Sequence, residues 1–262
     1  MMSDEPDGTR PAPTRPGAAV VLLHGFGTGP GIWRHVEPRL REQGYRTFTP
    51  RLPGHGTVPP ALAEVHWSDW ASATERALAR ARDECPTVFV VGHSLGATLA
   101  LHAAASERPP DAAVLMAPSI RISVRDRLTL AGYALARRDT VPWRRIGLNG
   151  PPSGARGNSP AARGMPVSAL CTNLRLKAAV AAAARRVHCP VAIIGGAEDP
   201  LVPAAELRRV EARLRSAATS LHVLPRSGHA VPLAADREEA CRLTLAFLAA
   251  VPRRAPAAPT RP

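Results

Sequence analysis

The strongest constraint on this chain is a regular alternation between short apolar runs and longer stretches of helical period. Ala18–Leu23 (AAVVLL), Thr87–Gly92 (TVFVVG), Ala112–Ala117 (AAVLMA), Val191–Gly195 (VAIIG) and Ser220–Leu224 (SLHVL) all have the length of a strand. A run with almost no polar alternation is what a strand covered on both faces needs. Arg46–Pro50 is a shorter candidate of the same kind. Between these runs, Pro30–Gln43 places Ile32, Trp33, Val36 and Leu40 at helical spacing, and Ser68–Glu84 offers Ser68 as an N-cap with Leu78 facing inward. Further helices are expected from Ser94, over Pro203–Arg215 and over Arg237–Ala250. Strand and helix in turn predict an α/β fold: a mostly parallel sheet of six to seven strands with helices on both faces.

The frame breaks once. From Ile120 to Arg186 no clean strand is visible, so 120–186 reads as a cap or lid inserted into a core made of 18–119 and 187–251. Within the insertion, Gly147–Gly164 has the Pro/Gly/Ser composition of a mobile lid edge. Val167–Ala184 predicts a cap helix whose Leu170, Leu174 and Val180 serve either the core or the substrate. Segments 1–17 and 252–262 lack periodicity and are expected to be disordered tails. At 262 residues, one domain suffices. No apolar run approaches the roughly 18 to 20 residues that span a bilayer, and the first residues lack a secretory apolar core, so a cytoplasmic location is expected. Cys85, Cys171, Cys189 and Cys241 are too scattered for a zinc site or a disulfide framework. No metal is expected.

The chemistry gathers at Gly92-His93-Ser94-Leu95-Gly96. G-x-S-x-G is short enough to arise by chance, and its glycines could simply cap a strand-to-helix turn. Its place directly after an apolar strand, opening a helix, is where a nucleophile elbow must lie. His24-Gly25-Phe26-Gly27 follows the first strand and could supply backbone N–H groups for a developing oxyanion; the expected donors are those of Phe26 and Leu95. A serine hydroxyl needs a base. Of nine histidines, His229 in Arg226-Ser227-Gly228-His229 alone follows the last strand at the edge where Ser94 should emerge, although His55 is also a loop residue. Asp199, after the strand VAIIG, would orient that base, with Glu198 as the rival acid.

With these motifs in order, the chain resembles the bacterial monoacylglycerol lipase and carboxylesterase group of α/β-hydrolases over roughly residues 19 to 250. The likeness is carried by HGFGTGP at 24–30, PRLPGHGTVPP at 50–60, Ser68-Asp69-Trp70, GHSLG at 92–96, Met165-Pro166-Val167, CPVAIIGGAEDPLVP at 189–203 and SGH at 227–229. The resemblance implies a cofactor-free serine hydrolase acting on an acyl ester through an acyl-enzyme, with catalytic residues Ser94, Asp199 and His229 and oxyanion donors Phe26 and Leu95. A thioesterase acting on acyl-carrier-protein or coenzyme A substrates is the alternative. A ligand-binding relative without turnover is a further one. Little sequence precedes Ala18, so a customary edge strand is expected to be missing, which favours six strands.

Charge adds a question about partners. The chain carries 34 basic and 21 acidic residues for a net charge of +13, and Lys177 is its single lysine. Aromatic residues make up 4%, and no groove-reading motif accompanies them, so no nucleic-acid partner is expected. Between Arg121 and Arg163, nine arginines stand against Asp126 and Asp139. This face could receive an acidic carrier protein or an anionic lipid, or could be a solvated surface coloured by an arginine-rich composition.

Overall fold

A computed structural model describes residues 17–55, 60–122, 124–142, 145, 164–214 and 217–254. Six strands form one sheet: β1 (Ala18–Leu23), β2 (Arg46–Phe48), β3 (Thr87–His93), β4 (Ala112–Met116), β7 (Val191–Gly196) and β8 (Thr219–Leu224). Their order is β2-β1-β3-β4-β7-β8, and every pairing is parallel. The core helices are α1 (Val36–Glu42), α3 (Trp67–Glu84), α4 (Leu95–Ala104), α7 (Ala204–Glu211) and α8 (Arg237–Ala250). A short α2 (Pro60–Ala63) precedes α3.

Alternation along β1 explains why its sequence is apolar throughout. Ala19, Val21 and Leu23 join the core under α3 and α4, whereas Ala18, Val20 and Leu22 join Trp33, Val36 and Leu40 beside α8. Side chains on a strand point alternately to its two sides. Each side of this sheet is roofed by helices, so neither set can be polar.

Several boundaries differ from expectation for identifiable reasons. Pro30–Gln43 is not one helix: Pro30–Trp33 is a 3-10 turn, and α1 starts at Val36. Ser68 is not the cap of α3. That role falls to His66, whose ring accepts from the Ser68 N–H while its backbone N–H donates to Asp69, closing a capping box. The segment expected to lack strands contains a two-stranded antiparallel ribbon, β5 (Thr140–Val141) with β6 (Met165–Pro166).

Between β4 and β7 lie α5 (Val124–Leu135) and α6 (Val167–Ala183). Helix α6 divides between the core and a cavity wall. Ala169, Thr172, Leu176, Val180 and Ala183 are buried, while Leu170, Asn173, Leu174 and Lys177 line the main cavity. Thr172 Oγ1 accepts from the Trp67 N–H (2.8 Å) and Ser168 Oγ donates to the Ala63 carbonyl (2.8 Å), fastening α6 over α2 and α3. The expected lid edge up to Arg163 and the first 16 residues of the expected N-terminal tail lie outside the described residues. The start of the expected C-terminal tail is held in place. The Arg254 N–H donates to Thr87 Oγ1 (2.7 Å), and its guanidinium pairs with Asp111 (2.6 Å).

Candidate active site

The site begins with a backbone constraint. Strand β3 ends at His93, α4 begins at Leu95, and Ser94 between them has φ +54° and ψ −112°. A positive φ is costly for a residue with a β-carbon and marks a held conformation. The turn is possible because its flanks are glycine: a Cβ on Gly92 would overlap the Gly96 carbonyl, and one on Gly96 would overlap the Leu23 carbonyl at the end of β1. The Ser94 N–H is tied to the Met116 carbonyl at the end of β4 (2.8 Å). These contacts raise the hydroxyl above the carboxyl edge of the sheet.

Two loops reach that hydroxyl. His229 Nε2 accepts from Ser94 Oγ at 3.0 Å, and His229 Nδ1–H donates to Asp199 Oδ2 at 2.8 Å. The side chain of Asp199 is buried. Its other oxygen accepts from the N–H groups of Leu201 (2.8 Å) and Val202 (2.9 Å), which fixes the carboxylate relative to the end of β7. The rival Glu198 is exposed and turns its backbone to the Ser227 carbonyl. His55 packs against His24, Phe26 and Trp70, and its Nδ1–H donates to the Pro53 carbonyl (3.0 Å). Phe26 and Leu95 line the same cavity as Ser94 and His229. Leu95 opens α4, where N–H groups have no intrahelical acceptor.

Three residues given no separate role by sequence reasoning hold this geometry. His93 is buried, and its Nε2–H donates to the His229 carbonyl (2.8 Å). Burial, reinforced by the neighbouring His229, lowers its pKa to about 3, so the ring stays neutral. His24 Nδ1–H donates to the Gly25 carbonyl (2.9 Å) while Nε2 accepts from the Leu52 N–H (3.0 Å), pinning the loop that bears Phe26. Burial lowers it to about 4. Asp236 caps the histidine loop, accepting from the Arg226 N–H (2.8 Å) and Ser227 Oγ (2.9 Å). Burial alone would raise its carboxyl pKa, but these hydrogen bonds outweigh it and the net shift is downward. His93 was visible only as the variable residue of the motif; Asp236 carries no local signal.

The cavity over Ser94 encloses about 750 Å³. Leu130, Val141, Leu170, Leu174, Leu201, Val202 and Leu233 give it apolar walls, with polar groups at Asn173, Lys177, Asp126 and Arg145. Among the described residues, no cluster of His, Cys, Asp or Glu has the number needed to hold a metal ion, and no helix is long and apolar enough to cross a membrane.

A parallel sheet roofed on both sides, with a strained serine at a strand-to-helix turn, is the build of a hydrolase. The chain belongs to the alpha/beta hydrolase family, which matches residues 20–242. It is 27% identical to the thermostable monoacylglycerol lipase of Bacillus sp. strain H-257, covering 88% of this chain and 90% of that protein. It is 32% identical to a pimeloyl-[acyl-carrier protein] methyl ester esterase of Chromobacterium violaceum, over 85% and 91% of the two chains. A solved structure from the metagenome-derived lipolytic enzymes LipS and LipT superposes with a TM-score of 0.76 at 27% identity, covering 89% of this chain and 94% of that one.

Proposed function

We propose that this protein hydrolyses carboxylic esters of the monoacylglycerol-lipase or carboxylesterase kind, with Ser94 as nucleophile, His229 as base and Asp199 as its orienting acid. The observation that carries this reading is the unbroken relay from Ser94 Oγ to His229 (3.0 Å) and on to Asp199 (2.8 Å). Ser94 Oγ attacks the ester carbonyl as His229 Nε2 takes its proton, and Asp199 steadies the resulting imidazolium. The N–H groups of Phe26 and Leu95 receive the oxyanion. His229 then returns the proton to the departing alcohol, leaving an acyl-Ser94 ester. Water, deprotonated by the same ring, releases the acid and restores the serine.

The supporting relatives are named as a monoacylglycerol lipase and as a methyl ester esterase, and neither name is that of a thioesterase. The test is a panel of p-nitrophenyl esters beside matched acyl-coenzyme A thioesters, with fluorophosphonate labelling of Ser94. Ester turnover with labelling is expected. A much larger kcat/KM for the thioesters would favour the thioesterase alternative, and neither turnover nor labelling would point to a ligand-binding relative.

A second reading concerns the partner. Arg121, Arg127, Arg137, Arg138 and Arg145 are exposed around α5, and a relative's substrate is borne on an acyl carrier protein. These features support an acidic carrier docking on this face, with salt-sensitive kinetics as its signature. The four cysteines are free thiols, which suits a reducing cytoplasm.

A further inference from the structure

Lys177 is the chain's single lysine, and it lies inside the reaction cavity. It shares with Leu170, Asn173 and Leu174 the face of α6 that looks onto this space, the i, i+3, i+4, i+7 spacing of one helical stripe. Its Nζ donates to Ser119 Oγ (3.1 Å). Thr98 Oγ1 in turn donates to the Ser119 carbonyl (3.3 Å), and Thr98 stands one turn beyond Ser94 on α4. The ammonium is therefore fixed relative to the nucleophile through Ser119.

Holding an ammonium away from water is unfavourable unless negative charge answers it. Burial lowers the Lys177 pKa, against the opposing pull of Asp126 and Glu206. Glu206 Oε1 accepts from the N–H groups of Ile120 (2.9 Å) and Arg121 (2.7 Å) and from Ser119 Oγ (3.4 Å), so the ammonium meets this carboxylate through the Ser119 hydroxyl and not directly, and Glu206 Oε2 lies 3.2 Å from Arg209. Among the described residues, the cavity wall carries the cations Arg34, Arg145 and Lys177 against the carboxylate of Asp126. Arg34, Arg145 and Asp126 are exposed, whereas Lys177 is drawn inward and half-buried beside Leu170 and Leu174, so it is the cation of this wall that a substrate in the cavity would meet.

We propose that Lys177 receives an anionic group of the substrate, a carboxylate carried at a distance from the scissile ester, so that half-esters of dicarboxylic acids are favoured over neutral esters. This rests on the esterase reading above and adds a specificity residue to it. The cavity's apolar wall would take the methylene chain while Lys177 takes the far carboxylate.

The experiment compares kcat/KM for methyl half-esters of straight-chain dicarboxylic acids with that for methyl alkanoates of matched length, in the wild-type chain and in Lys177→Met. The wild type is expected to favour the half-esters at one or more lengths, and the substitution to cut that ratio by about tenfold to a hundredfold, the value of one charge-assisted hydrogen bond. No preference in the wild type, or the same preference in both proteins, overturns the proposal. Calorimetry on Ser94→Ala and on Ser94→Ala/Lys177→Met reads the subsite without turnover. Half-ester binding that weakens in the double variant by a similar factor supports it, and binding that is absent or unchanged overturns it. Should no ester of either series be cleaved, the esterase reading fails while the calorimetric comparison still decides the role of Lys177.

Discussion

Two of the nine histidines hold loops around the relay. His93 grips the carbonyl of His229, and His24 grips the loop carrying Phe26. Removing a member of the relay itself should be drastic: Ser94→Ala and His229→Ala should each lower kcat by about a million-fold, with Asp199→Ala costing less. The double variant Ser94→Ala/His229→Ala should be no worse than either single one, because the proposed mechanism makes the two groups one unit; additive losses in single-turnover kinetics would contradict it. His93→Ala removes only the tether. It should lower kcat by roughly tenfold to a hundredfold with little change in KM, since a small misplacement of the base weakens the transition state more than binding. A change confined to KM would show that His93 serves the substrate instead.

At the scale of elements, the turn joining β3 to α4 depends on the close approach of three backbones. Gly96→Ala would drive a methyl into the Leu23 carbonyl, and a clash against backbone cannot be relieved by a rotamer change. Stability should fall by more than about 3 kcal/mol, read by urea denaturation; a loss under about 1 kcal/mol would mean the strands can part. Much of this scale is legible in the sequence. Ala18–Leu23 and Arg237–Ala250 run to the expected residues because a doubly covered strand and an amphipathic helix both write their burial into consecutive positions. The 3-10 turn at Pro30–Trp33, the cap at His66 and the two-residue strands β5 and β6 are not legible there. Elements so short carry less than one period of pattern, and tertiary contacts decide them. The candidate site divides in the same way: Ser94, Asp199 and His229 lie in the turn or loops that follow β3, β7 and β8, strands that the sequence marks, whereas Asp236 meets the Arg226–Ser227 turn only once the chain is folded.

Across the whole molecule, the buried imidazoles set an acid limit. An unfolded histidine titrates near 6.5, but in the fold His24 is lowered to about 4 and His93 to about 3. Between those values and 6.5 the unfolded chain binds protons that the native one refuses. Their contribution is therefore complete above pH 6.5 and is lost as pH falls toward 4 and 3, each tenfold difference in proton affinity between the two states being worth about 1.4 kcal/mol. The depressed Asp236 carboxyl acts lower down: its contribution is present above 3.8 and disappears as pH falls below it. Thermal melts should show Tm declining steadily from pH 6.5 to 4; a flat Tm over that window would mean the rings are reached by solvent. The sheet order also has a consequence during synthesis. Strand β4 is finished at Met116, yet its outer neighbour β7 does not begin until Val191. At about 5–20 residues per second the ribosome leaves that apolar edge without its partner strand for several seconds, so the sheet closes on this side only late in synthesis.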